Sequence, residues 1–273
     1  MHTFRRALPI AVATLLVSAG VLAAHDMFLR PESHFVAPNS SVLVRLLNGT
    51  FTRSENSITR DRLIDVAIVS ASGRVALDTT QWTVAGDTST FSLQTGASGT
   101  YVLGASTRPR VLGMAAKAFN AYLADDGIPD ELAARRRDKR LAEPSRERYH
   151  KHVKALVQVG TTASETYATV LGYPAEIVPL ENPYRLKVGA TLAVRLLVNG
   201  KPVAMQFAQY GGRSASGKRV VQRNVRSNAD GVARIPIDRT GVYFVKFINM
   251  RRLVDDKDAN YESQWATLTF GMR

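Results

Sequence analysis

Five histidines and no cysteine bound the metal and nucleophile chemistry open to this chain. The most informative histidine is His25. It follows directly on the apolar run "LLVSAGVLAA", and Asp26 comes next. A histidine at a free N-terminus carries an amine and an imidazole on one residue. Its two nitrogens close a small chelate ring on a metal ion, and such ligands suit copper, nickel or cobalt. The amine must first lose its proton, which is feasible because its ordinary pKa is only about 7.7–8.0. The condition is strict: one residue in front of His25 leaves the imidazole but removes the amine.

His34 follows nine residues on, where a sandwich would bring it back to the same end. His25, Asp26 and His34 are therefore the candidate metal ligands. For His34 the plainer reading is a histidine beside a strand start with no ligand role. His150 and His152 diverge on a helix and share a face only on a strand. The spacing around them favours a helix, which argues against a ligand pair.

The densest basic cluster is Arg135, Arg136 and Arg137 with Lys139 and Arg140. It reads as a solvated helix face, partly balanced by Asp138, Glu143 and Glu147. "GGRSASGKRV" (211–220) nearly spells a phosphate loop, but Arg219 stands where magnesium binding wants Ser or Thr, and strands flank it. It reads as a mobile hairpin loop. The acidic pairs Asp125-Asp126 and Asp255-Asp256 read as solvated loop residues. No G-x-S-x-G, S-x-x-K or H-E-x-x-H is present, and there is no cysteine nucleophile or EF-type oxygen series. The chain is expected to be non-catalytic.

The segment ahead of His25 has the form of a secretory leader. Arg5 and Arg6 are the positive region, Ala7 to Leu22 the apolar core, and small residues close it. The run is short for a membrane span. Cleavage after Ala24 frees the His25 amine, whereas cleavage after Ala23, with Val21 at minus three, leaves Ala24 in front of it. Export to the periplasm is the expectation, and without cysteine neither disulfides nor a lipid anchor on an N-terminal cysteine is available. Net charge is +13, or +11 once Arg5 and Arg6 leave. A basic surface favours anionic partners. Outside the cytoplasm those are lipid phosphates and envelope polymers rather than nucleic acid, and a solvated charged face is the plainer reading.

The elements that must position these residues are mostly strands. "SVLVRLLNGT" (41–50), "LIDVAIVSASGRVAL" (63–77), "TFSLQ" (90–94) and "TYVLGAS" (100–106) are short apolar runs with turn signals between them. The second half repeats this grammar in "TLAVRLLVNGKPVAMQF" (191–207), "RSNADGVARIPI" (226–237), "GVYFVKFINM" (241–250) and "QWATLTF" (264–270). Asn199-Gly200 suits a type I′ hairpin. Val44-Arg45-Leu46-Leu47 recurs as Val194-Arg195-Leu196-Leu197, and Gly99-Thr100-Tyr101-Val102 as Gly241-Val242-Tyr243-Phe244. Two copies of one small β-sandwich are expected. Between them, "MAAKAFNAYLADDG" has helical spacing, Gly127 is a stop, and Pro129 opens a second helix. "SRERYHKHVKALVQVG" begins as a third helix, with Tyr149, Val153 and Leu156 at helical spacing, and Val157 to Val159 read as helix or already as strand. The expected organisation is mainly β: a leader at 1–24, an N-terminal sandwich at 25–112, a helical bridge at 113–160 and a C-terminal sandwich at 161–273.

The chain resembles an exported family catalogued as domain of unknown function 4198. The resemblance is carried by "AHDMFLRP", "FNAYLADDGI", "SRERYHKHVKALVQVG", "LGYPAEIVPLENPYRLKVGATLAVRLLVNGKPVA", "NADGVARIPIDRTGVYFVKFINM" and "YESQWATLTF", in that order. It implies a β-rich, non-catalytic periplasmic protein with an immunoglobulin-like, prealbumin-like second domain. Some members are associated with nickel and cobalt uptake. The family's mature start runs His, two residues, an aromatic, then Leu, matched here by His25, Phe28 and Leu29, with Phe28 in place of the usual Trp. Many members carry a histidine before the late-strand methionine, where this chain has Asn249 before Met250. "LNGTFTRSEN" marks a subgroup. The functional expectation is a binding protein that holds nickel, cobalt or copper near His25 and hands it to membrane uptake components. The alternative is a metal-free module that contacts an anionic envelope polymer or a membrane partner.

Overall fold

The computed structural model describes residues 25–273, and the leader assigned to 1–24 lies outside the described residues. Short β-branched and apolar runs separated by Gly, Asn and Asp turns form strands throughout. The first half contributes β1 (Asp26–Pro31), β2 (Phe35–Val36), β3 (Ser41–Gly49), β4 (Leu63–Ser70), β5 (Gly73–Ala76), β6 (Thr83–Ala85), β7 (Thr88–Gln94) and β8 (Gly99–Thr107). β9 (Arg110–Met114) leads into α1 (Ala116–Asp125) and α2 (Pro129–Arg137), and β10 (Ser145–Val159) follows. The second half contributes β11 (Ala175–Pro179), β12 (Thr191–Val198), β13 (Lys201–Pro202), β14 (Phe207–Ser214), β15 (Arg219–Arg226), β16 (Val232–Pro236), β17 (Gly241–Arg252) and β18 (Tyr261–Met272).

These strands make two sandwiches that share one sheet. The central ten-stranded sheet runs β15-β14-β17-β18-β10-β8-β4-β5, with β2 and β9 also pairing β10. A small sheet, β1-β3-β7-β6, packs on one face of its first half. A second small sheet, in which β12 pairs β11, β13 and β16, packs on the opposite face of its second half. β10 shows the switch of faces. Val153, Ala155, Val157 and Val159 join the first core, whereas Leu156 joins the second. The sandwiches meet where β10 and β18, the last strand of each, pair in parallel. Parallel last strands with cores on opposite faces relate the two units by about half a turn.

The repeats seen in the sequence occupy equivalent places. β3 is central in its small sheet and buries Val44 and Leu46, and β12 buries Val194 and Leu196 in the same way. Tyr101 and Tyr243 stand near the starts of β8 and β17. The Tyr101 hydroxyl donates to the Ala97 carbonyl at 3.1 Å, and the Tyr243 hydroxyl donates to the Arg239 carbonyl at 2.9 Å. Both are tyrosine corners of the immunoglobulin type. Asn199 and Gly200 have φ of 50° and 74°, as a type I′ turn requires.

The bridge differs from expectation. α1 and α2 form as read, but residues 145–159 are a strand, not a third helix. β10 is central and covered on both faces, so it lacks the alternation that marks a half-exposed strand. The two sandwiches are therefore joined by a shared sheet, and the helices pack beside it. The basic cluster also divides. Arg136 and Arg137 are exposed, whereas Arg135 is fully buried. Arg135 donates to Asn120 Oδ1, the Tyr261 hydroxyl and the Glu143 carbonyl at 2.9, 3.0 and 2.6 Å. It fastens α2 to α1 and to the start of β18.

Candidate functional site: a cleft and a pocket that meet at His25

His25 immediately precedes β1. That strand pairs antiparallel with β3, Asp26 opposite Gly49, so His25 lies beside the loop that leaves β3. The loop curls back tightly, with the Thr50 amide donating to the Arg53 carbonyl at 2.9 Å and the Glu55 amide to the Asn48 carbonyl at 3.0 Å. Gly49 permits this, because a Cβ there would lie 2.6 Å from the Arg53 carbonyl oxygen. The curl carries Glu55 to His25, with Nδ1 and Oε2 3.2 Å apart. It also drops Phe51 against Phe28 and Phe244, at ring distances of 5.3 and 4.8 Å. The Arg30 guanidinium lies 4.1 Å over Phe51.

These aromatic rings floor a cleft of about 530 Å³ that also exposes His25, Asp26, Glu55, Asp126, Arg213 and Arg219. Asp26 Oδ2 accepts from Lys246 Nζ at 2.6 Å, and its Oδ1 is buried without a partner. Asp126 caps the end of α1. Burial, with the nearby Asp26 charge, pushes its carboxyl up to about 7, while Lys246 and Lys151 pull it down. Asp126 thus belongs to the site and is not the solvated loop residue expected. On its other side His25 borders a separate pocket of about 330 Å³.

The structure separates the histidines proposed as ligands. His34 lies beyond the far end of β1, which at about 3.3 Å per residue puts it roughly 20 Å from His25. It is buried, and its Nδ1 donates to the Leu156 carbonyl at 2.6 Å. Burial pushes it down to about 4. The reading that returned His34 to His25's end of the sandwich is therefore corrected: β1 carries the chain the length of the sheet with no reversal. His150 and His152 do share a face, because β10 is a strand, with ring centroids 6.0 Å apart. His152 Nδ1 lies 2.9 Å from the Ser106 hydroxyl, and burial pushes this imidazole down to about 3. Asn249 Nδ2 donates to Gln206 Oε1 at 2.8 Å. Among the described residues no group of three or more His, Cys, Asp and Glu side chains is gathered as for a metal ion.

Sequence reasoning reached His25 and Asp26 but not Glu55, Asp126 or Lys246. Glu55 lies within "LNGTFTRSEN", the stretch that departs from the family pattern, and that departure was its one signal. Asp126 and Lys246 arrive from elements far along the chain and carry no local mark.

Fold and site together define a mainly β protein of two immunoglobulin-like sandwiches with an open cleft at the start of the first strand. The chain belongs to the family described as domain of unknown function (DUF4198), whose model matches residues 22–251. No curated protein matches it. Among solved structures, it is similar to the tetra-tandem repeat in the extending region of a large adhesion protein, at 12% identity and a TM-score of 0.23, covering 90% of this chain and 49% of that one. It is also similar to trypsin-activated alpha-2-macroglobulin from Escherichia coli, at 9% identity and a TM-score of 0.22, covering 92% of this chain and 16% of that one. The chain thus spans about half of the first and a smaller share of the second, and likeness at this level carries no argument. Among the described residues no helix is long and apolar enough to cross a membrane.

Proposed function

We propose that this is an exported, non-catalytic binding protein that takes up a divalent transition metal, nickel, cobalt or copper, at His25 for delivery to a membrane uptake system. The reading is carried by one observation: His25 Nδ1 and Glu55 Oε2 stand 3.2 Å apart in an open cleft. Nδ1 is the ring nitrogen that closes a chelate with a terminal amine. Glu55 stands beside the same position, while the Asp26 carboxylate is paired with Lys246. Side chains alone do not assemble a third ligand among the described residues, so the site depends on the amine freed at His25. A site with few protein ligands binds reversibly, which suits a carrier.

The test is a titration of nickel, cobalt and copper into natively exported protein whose N-terminus has been sequenced. One equivalent is expected to bind, with loss in His25→Ala and weakening in Glu55→Gln. A mature start at Ala24, no binding by the intact protein, or equal binding by His25→Ala would refute the proposal. Salt-sensitive retention by envelope fractions would then favour the metal-free module that contacts an anionic polymer or membrane partner.

A further inference from the structure

The pocket on the far side of His25 carries charge of one sign, whereas the cleft mixes acidic and basic groups. Its volume is about 330 Å³, and no aspartate or glutamate lines it. Three cations do, each from a different element: Arg62 ahead of β4, Arg110 at the start of β9 and Lys151 on β10. Arg62 is only 7% exposed, yet its Nη1 has no hydrogen-bond partner among the described residues. Lys151 is also 7% exposed; its Nζ donates to the His25 carbonyl and to Asn48 Oδ1, the latter at 3.2 Å. Burying like charges together with an unanswered guanidinium nitrogen is unfavourable unless a ligand completes the set. Burial lowers the Arg62 pKa, with the Arg110 charge acting in the same sense and Tyr149 and Asp61 against it, and burial lowers that of Lys151 to about 8. Carboxylates do act on Lys151 from outside the pocket, namely Asp26, Asp126 and Glu147, but they do not line it.

We infer that this pocket binds a small organic anion with two or three carboxylates. Two guanidinium groups offer the forked donors that match a carboxylate. Asn48, Asn56 and Ser57 supply further polar groups, and Met27, Ile58 and Leu112 provide an apolar wall for a carbon skeleton that an inorganic anion would not use. The inference stands whether or not His25 holds a metal. The ligand chemistry follows from the lining alone.

Isothermal titration of citrate and of succinate into metal-stripped protein, at fixed ionic strength, tests it. Saturable binding at one site is expected. Arg110 is exposed and replaceable without loss of the fold, so Arg110→Gln should weaken binding about tenfold, the loss of one charged hydrogen bond. Arg146→Gln removes a neighbouring exposed charge on β10 that does not line the pocket, and it should leave binding unchanged. Absence of saturable binding, equal weakening by the two variants, or equal affinity for inorganic phosphate would overturn the inference. Because no metal is added, failure here is distinct from failure of the nickel, cobalt and copper titration.

Discussion

Acidification from about pH 7.5 to about pH 4.5 withdraws stability through histidines that the core keeps neutral. His34 is 3% exposed and His152 is 2% exposed, and each has one ring nitrogen with no partner. Protonation would bury a cation with an unanswered N–H. Burial accordingly holds the two near 4 and 3, against an ordinary 6.5. A depressed folded pKa contributes stability that is present above 6.5 and is lost as pH falls toward the folded value. At about pH 4.5 the unfolded chain carries both protons, whereas in the folded chain His152 is nearly unprotonated and His34 carries about a quarter of a proton. Two pH units at 1.36 kcal/mol each cost about 2.7 kcal/mol per histidine, or about 5 kcal/mol together. His150, also lowered by burial, adds to this side. Asp126 acts in the opposite sense. Its folded value of about 7, against 3.8, contributes stability that is full below 3.8 and lost as pH rises through 7. Across the same window it returns about 3 kcal/mol. Glu147, raised by burial, adds to its side. Asp256, held low by Arg148, loses its contribution only below this window. The net expectation is a loss of about 2 kcal/mol in the wild type and about 5 kcal/mol in Asp126→Asn, where the compensation is gone. Urea unfolding at the two pH values measures both. A variant that loses no more than the wild type, or a wild type equally stable at both, would refute the reasoning.

Two further outcomes bear on the packing. Lys154→Met leaves Glu176 buried without its counter-ion, although the amides of Leu171, Gly172 and Tyr173 still donate to it at 2.9, 2.7 and 2.8 Å. Those three bonds place the cost at about 3 kcal/mol, the low end for a broken buried pair, and a change under about 1 kcal/mol in urea unfolding would contradict this. Gly104→Ala puts a Cβ 2.3 Å from Leu171 Cδ1 and 2.7 Å from the Tyr173 hydroxyl, between β8 and the segment that precedes β11. Thermal unfolding should register about 1–3 kcal/mol of overpacking, and an unchanged midpoint would show that the segment yields freely.

Local chemistry was legible where local forces decide. The short strands, the Asn199-Gly200 turn, and the two helices with Gly127 at φ 84° follow from residue type and period. So does the duplication, since Val44 to Leu47 and Val194 to Leu197 bury the same positions of the same strand. β10 was not legible. A strand covered on both faces shows no alternation, and Tyr149, Val153 and Leu156 imitate a helical spacing. The histidine pair was misjudged for the same reason, because its shared face exists only in the strand.

The residues by themselves determined a mainly β chain of two similar units, and a histidine that directly follows an apolar run. Each of those is a property of composition, period or position within a few residues. Tertiary structure decided that the units share one sheet through the parallel pairing of β10 and β18. It decided that His34 lies at the far end from His25, and that Glu55, Asp126, Arg62, Arg110 and Lys151 surround the latter. Sheet register and strand order bring together segments tens to hundreds of residues apart, and no local pattern records which segments those are.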